Sequence, residues 1–190
     1  MTEVSKKNRL LTSAYKLFVT KGFNKTTIQD IVDAAKVAKG TFYLYFEDKY
    51  KLQEELIINK SEEIFSRSII ELSKKNIEKF DDRVIFIVDY IIDVLVAEPA
   101  ILNFISKDLS LGVYQEKISK FIGEKETKLY DMFINEAKKN NVDKPDITLF
   151  MIVEFVSSTI YSVITRRIDI TIDDYKKYIH SVVENMLNIK

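Results

Sequence analysis

The chain has 190 residues, enough to bury a sizeable core as one domain or two small ones. Hydrophobic residues make up 46% of it and charged residues 31%, a globular balance that excludes a disordered chain. The absence of cysteine excludes disulfides, thiolate metal sites and a cysteine nucleophile. The net charge of +0 conceals an asymmetry: residues 1–51 hold ten basic residues against five acidic ones, leaving 19 against 24 in the rest. A basic N-terminal quarter suits phosphate attraction. With no cleavable apolar leader and no run of about 18 apolar residues, a cytoplasmic protein without a membrane span is expected.

Only 4 Gly and 2 Pro predict long helices with few turns. Residues 5–21 read as an amphipathic helix with Leu10, Leu11, Ala14, Leu17 and Phe18 on one face, and Gly22 suits a left-handed cap at its end. Thr26 or Thr27 caps a second helix, since Gln29 and Asp30 stand three residues on, as a capping box requires. Its apolar stripe is Ile28, Ile31, Val32 and Ala35. The stretch Ala35-Lys36-Val37-Ala38 has room for a tight turn but not for a long loop. Phe42 and Phe46, one turn apart, then supply the buried side of a third helix. Lys39, Gly40, Thr41, Tyr43, Leu44, Tyr45 and Lys49 stay off that side or at its margins. Two helices joined by a short turn, the second carrying Lys, Thr and Tyr outward, form the helix-turn-helix layout that enters the DNA major groove.

Asp48 is a natural N-cap for a fourth helix running to about Asn76 as a continuous rod, through Leu52, Leu56, Ile57, Ile64, Phe65 and Leu72. Asp81-Asp82 open an apolar helix, Arg83 to Ala97. Pro99 suits the first turn of another, which ends near Gly112. A helix from Val113 to Asn140 follows, with Ile118, Phe121, Ile122, Leu129, Met132 and Phe133 as its stripe. Asn140-Asn141 and Pro145 mark a turn and a restart. Ile147 to Ile168 is apolar nearly all round, and Thr171 with Asp174 reads as a capping box before the last helix. Ile168 to Ile172 alternates but is too short and isolated to build a sheet.

Gly22-Phe23, Thr26-Thr27 and the run Ala38-Lys39-Gly40-Thr41-Phe42-Tyr43-Leu44-Tyr45-Phe46-Glu47-Asp48-Lys49 resemble the N-terminal domain of the TetR-type (TetR/AcrR) repressors. The detailed likeness covers roughly the first 50 residues. It implies an all-α protein: a three-helix helix-turn-helix DNA-binding domain over residues 1–47, joined by a long helix to a helical ligand-binding and dimerisation domain over residues 48–190. By the same resemblance, Thr26 or Thr27 binds a phosphate where the second helix meets the DNA backbone. Lys39, Gly40, Thr41 and Leu44 present to base edges, Tyr43 and Lys49 hold phosphates, and Tyr45 flanks them. Each role is physically reasonable: Gly40 permits close approach, Lys39 can donate to guanine O6/N7, and the Thr41 methyl suits thymine. Tyr hydroxyls and Lys at helix ends fix register without reading sequence. Leu44 departs from the aromatic or polar residue that many relatives carry there, so base preference stays open.

An all-round apolar helix must be covered on every side. Residues 147–168 and the last helix are either core helices of a monomer or partners of their own copies across a two-fold axis, through Phe155, Tyr175, Ile179 and Val183. Ser157 and Ser158 would let two backbones approach closely, and readers of this type use dimers on palindromic sites, which favours the second arrangement. Aromatics at helical spacing are core by default. The resemblance implies an apolar small-molecule pocket among them, for which Phe86, Tyr90, Phe104 and Phe121 are candidates. Glu154 either pairs with Arg166 or Arg167 at the dimer seam or faces a cationic ligand, and the pair is favoured because a buried carboxylate needs a partner.

The lone His180 reads as structural. Adjacent carboxylates (Glu54-Glu55, Glu62-Glu63, Asp81-Asp82, Asp173-Asp174) do not converge on a helix, so they make poor acid/base dyads. There is no Gly-rich phosphate loop and no Ser-His-Asp grouping. No enzyme, metal or cofactor is expected. The expected protein is a homodimeric repressor that leaves a palindromic double-stranded operator when a small apolar or amphipathic effector binds. An effector-independent chromosome-organising protein of the same fold, or an all-α enzyme, are the alternatives.

Overall fold

A computed structural model describes residues 3–98, 101 and 128–188. Those residues form eight helices and no strand, in two compact units, Met1–Asn59 and Lys60–Lys190. Apart from Ile101, the expected helix from Pro99 to Gly112 lies outside the described residues, as do the first half of the expected helix from Val113, Phe104 and Phe121.

In the first unit, α1 (Glu3–Thr20) packs Leu10, Leu11, Ala14 and Phe18 inward, and Gly22 then turns the chain at φ +88°. α2 (Ile28–Ala35) buries Ile31, Val32 and Ala35 against it. Of the two candidate threonines, Thr27 is the N-cap. Its hydroxyl accepts from the Asp30 amide at 3.1 Å, and its own amide donates to the Asp30 carboxylate at 2.8 Å. The helix closes on Lys36 in the left-handed region, φ 53° and ψ 51°. One short turn later α3 (Lys39–Tyr43) begins. Phe42 is fully buried and Phe46 nearly so, their rings 5.6 Å apart, which seats α3 on α1 and α2. Leu52, Leu56 and Ile57 of α4 (Lys49–Ser73) complete this core, and Asp48 caps that helix through the Lys51 amide.

The second unit contains the rest of α4, which stops at Ser73, three residues before the expected end. α5 (Phe80–Ala97) starts ahead of Asp81-Asp82, which therefore occupy its first turn and face the positive end of the helix dipole. α6 (Lys128–Lys139), α7 (Pro145–Ile164) and α8 (Ile172–Leu187) follow. Pro145 sits at the start of α7, where its missing amide hydrogen costs nothing. α7 ends at Ile164 and not at 168, because Arg166 turns left-handed at φ 54° and exposes Ile168. Thr171 caps α8 through the Asp174 amide.

Leu149, Ile152, Val153, Val156, Ile160 and Val163 form the buried stripe of α7, which packs on α5, α6 and α8. α5 and α8 are also joined by polar contacts: His180 with Asp89 at 2.8 Å, and Lys176 with Asp93 at 2.5 Å. α7 is long and apolar enough to cross a membrane by length and composition, with a mean hydropathy of 1.8 over 18 residues, which corrects the expectation that no apolar run of that length exists. Its packing against three helices and the half-buried Glu154 at its middle fit a bundle helix instead.

Candidate nucleic-acid interface

α3 is only five residues long, so its orientation depends on what grips its ends. Inside, Phe42 and Phe46 anchor it. Before it, the guanidinium of Arg9 on α1 donates to the carbonyls of Ala35 and Lys36, at 2.7 Å for the latter. Those carbonyls lie at the C-terminus of α2, where helical partners run out and the dipole is negative. Arg9 thus pins the α2–α3 turn from outside the motif. Behind α3, the Lys49 ammonium donates to the carbonyls of Phe23 and Thr26 at 2.8 and 2.9 Å, and lies 4.2 Å from the centre of the Phe23 ring.

What α3 leaves outward is polar, basic and partly apolar. Lys39 and Gly40 are exposed and Thr41 is half-buried, while Tyr43 is 52% exposed and Leu44, just past the helix end, 77%. A Cβ added at Gly40 would meet no atom within 4 Å, so the fold itself does not require glycine there. Any need for a bare backbone would come from a surface approaching α3. Tyr45 is half-buried beside Phe46. Among the described residues, Lys25, Lys36 and Lys39 are exposed and make no ion pair, whereas Lys21 is held by Asp30 at 2.6 Å. That contact and the Thr27 hydrogen bonds pull the Asp30 carboxyl from 3.8 down to about 2.

The two threonines and Lys49 sit differently from the outward surface. Thr26 is 1% exposed and its hydroxyl donates to Gly22 O at 2.8 Å, so it ties the end of α1 to the start of α2. Thr27 is exposed at the amino end of α2, where an anion would also meet the free helix amides. Lys49 turns its ammonium onto internal carbonyls. Arg9, the anchor of the turn, carried no signal in the sequence beyond its charge.

The second unit holds an apolar cavity of about 90 Å³, several times what one water needs. Phe65, Leu72, Val88, Phe133, Ile152 and Val156 are among its walls, and Arg83 and Glu136 are the charged residues that line it. Phe86 and Tyr90 are half-buried on α5 but are not part of that lining; Ile87 and Ile91 of the same helix are. Glu154 is half-buried, does not line the cavity, and makes no ion pair with Arg166 or Arg167 within the chain. Of the residues expected at a dimer seam, Phe155 is 40% exposed, whereas Tyr175, Ile179 and Val183 are 6%, 2% and 1% exposed. Those three are packed into the chain's own core and offer little surface to a second copy. Ile147, Met151 and Phe155, one turn apart, form an exposed apolar face on α7.

A capped helix, a tight turn and a short helix with a basic outward face are the anatomy of a helix-turn-helix module. Residues 10–56 match the family described as "Bacterial regulatory proteins, tetR family", a match confined to the helix-turn-helix segment. It is 38% identical over 74 residues to the uncharacterized HTH-type transcriptional regulator YerO of Bacillus subtilis, a match spanning 39% of this chain and about a quarter (24%) of that one. With the HTH-type transcriptional repressor KstR2 of Mycolicibacterium smegmatis the identity is 23% over 158 residues, covering 82% of this chain and 76% of the other. The fold also matches the transcriptional regulator FadR from Bacillus subtilis, solved in complex with stearoyl-CoA. There the TM-score is 0.61 at 16% identity, with 95% of this chain and 97% of the other covered.

Proposed function

We propose that the chain is a homodimeric, cytoplasmic transcriptional repressor that holds a palindromic double-stranded operator and releases it when a small apolar or amphipathic effector binds. The observation that carries the reading is the outward surface of α3: Lys39, Gly40, Thr41 and Leu44 are turned away from a core that Phe42 and Phe46 close behind them. Lys39 and Thr41 meet base edges, while Tyr43 and the exposed Lys25 and Lys36 meet phosphates. Thr27 adds the amino end of α2, and Tyr45 flanks. Thr26 and Lys49 support this surface by bracing the backbone behind it. DNA reading belongs to residues 1–47, and effector binding and dimerisation to residues 48–190.

The cavity in the second unit supports an effector, and FadR of Bacillus subtilis, which shares the fold, was solved with stearoyl-CoA in complex. An effector lowers operator affinity only if it binds better to a conformation in which the two reading heads are badly spaced. In the competent form the heads of a dimer enter successive major grooves roughly 34–36 Å apart. The dimer forms through the open face of α7, with Phe155 at its centre. Recovering genomic fragments on the purified protein and repeating the gel shift with Thr41→Ala and Lys39→Ala tests the reading. Thr41→Ala should relax preference at a few base positions. Lys39→Ala should cost about 1–3 kcal/mol at one base pair. Unchanged retention of a selected palindrome by both variants would remove α3 as the reading surface.

A further inference from the structure

The cavity of the second unit has one charged edge, and the charges there are unevenly matched. Its walls come from α4, α5, α6 and α7 and are apolar apart from Arg83 on α5 and Glu136 on α6. The two side chains are about a third exposed, 32% and 31%, so they stand at the rim with their stems along the wall. Arg83 Nη1 reaches Glu136 Oε2 at 3.4 Å, a single long contact for a group with five N–H donors. Glu136 has a better partner: Lys139 holds its other oxygen at 2.8 Å, and that contact is the main cause of its lowered pKa. One carboxylate is therefore shared between two cations, and Lys139 has the closer hold.

We infer that this rim recognises the anionic head of a single-chain amphiphile, with Arg83 as the head-group ligand and the tail in the apolar cavity. The inference rests on the effector reading above and names the effector's chemistry. An anion could take Arg83's unused donors in a two-pronged contact while Glu136 stays paired with Lys139. A cationic head would have to displace both Lys139 and Arg83 from Glu136. A neutral head would forgo the charge-assisted bond and gain only the burial of its tail. The rim thus selects by the sign of charge, and the cavity selects by apolar bulk.

The experiment displaces a neutral environment-sensitive naphthylamine dye from the purified full-length chain. The displacers are decanoate, decyl sulfate, decyl phosphate, decanol and decylammonium, each below its micelle concentration. The three anions should displace the dye at concentrations about five- to tenfold lower than decanol, as suits a half-exposed charged contact, and decylammonium should be the weakest. Their ranking distinguishes a carboxylate from a sulfate or phosphate source. Arg83→Gln keeps the stem on the wall and should erase the advantage of the anions while leaving decanol unchanged. Met132→Trp, at a half-exposed position of the lining, should weaken all five and locate the binding in this cavity. Equal displacement by anions and decanol, or an anion preference that survives Arg83→Gln, overturns the head-group inference while leaving the cavity as an effector site. If no compound displaces the dye, or none binds at all, the cavity reading itself falls and this inference falls with it.

Discussion

Single side chains near α2 do work that their types alone do not announce. Thr27 and Asp30 cap each other, and Lys21 draws the Asp30 carboxyl down to about 2. A carboxyl lowered in the folded state stabilises above its unfolded value and loses that contribution as pH falls through the folded one. The amino end of α2 should therefore loosen between about pH 4 and pH 2, and Asp30→Asn should flatten the acid limb of a thermal-melt series. An acid limb that is identical in the variant would rule out that role. In the second unit, Ser61 is fully buried and its hydroxyl finds no partner among the described residues. Ser61→Ala removes an uncompensated desolvation and adds helix propensity, so it should raise stability by about 1 kcal/mol in a denaturant titration. A loss of stability would indicate that the hydroxyl is bonded in solution.

Among the elements, the short α3 and the half-covered α7 make contrasting demands. α3 cannot hold itself, and the Arg9 contacts to Ala35 and Lys36 are its outside support. Arg9→Ala should lower operator affinity about tenfold with stability reduced by roughly 1–2 kcal/mol, since two carbonyls lose a charged donor at a partly exposed site. Equal affinity in the variant would mean that Phe42 and Phe46 suffice to set the turn. On α7, Phe155→Glu and Met151→Glu lie on the exposed apolar face and should shift the protein toward monomer by light scattering without lowering the melting temperature. Ile179→Asp, by contrast, places a charge in the core and should cost about 4 kcal/mol or more, unfolding a large fraction of the chain. A dimer untouched by the two glutamates would move the interface elsewhere.

At the scale of the molecule, the helix count within the described residues and the local geometry of α2 and α3 were legible in the sequence, because both follow from periodicity and short-range chemistry. Phe42 and Phe46 at i, i+4, the threonine with an acid three residues on, and Gly22 after a closed stripe each act over one or two turns. What escaped depends on distant chain segments. Whether Thr26 or Thr27 faces out is decided by where α1 ends, and the direction of the Lys49 ammonium by the carbonyls of Phe23 and Thr26, 26 and 23 residues away. Ile179 and Val183 are apolar whether they meet α5 and α7 or a second copy, and sequence pattern cannot separate the two. The cavity is likewise invisible to pattern, since Phe65, Phe80 and Phe133 read as ordinary core until the gap between their helices is seen.

The outward surface of α3 has a bearing on how such a protein can change over time. Lys39, Gly40 and Leu44 touch little of the molecule that carries them, and a side chain at position 40 would meet open space. On the function proposed above, stability and target choice would be written in separate letters of one short segment, with Phe42 and Phe46 belonging to the first alphabet and their neighbours to the second. A randomised library at positions 39, 40 and 44 should yield mostly folded proteins whose melting temperatures cluster near the parent's while their preferred operators scatter. The same library at positions 42 and 46 should yield mostly unfolded ones. A lineage carrying this scaffold could acquire new target genes by drift in three codons without first passing through a damaged fold.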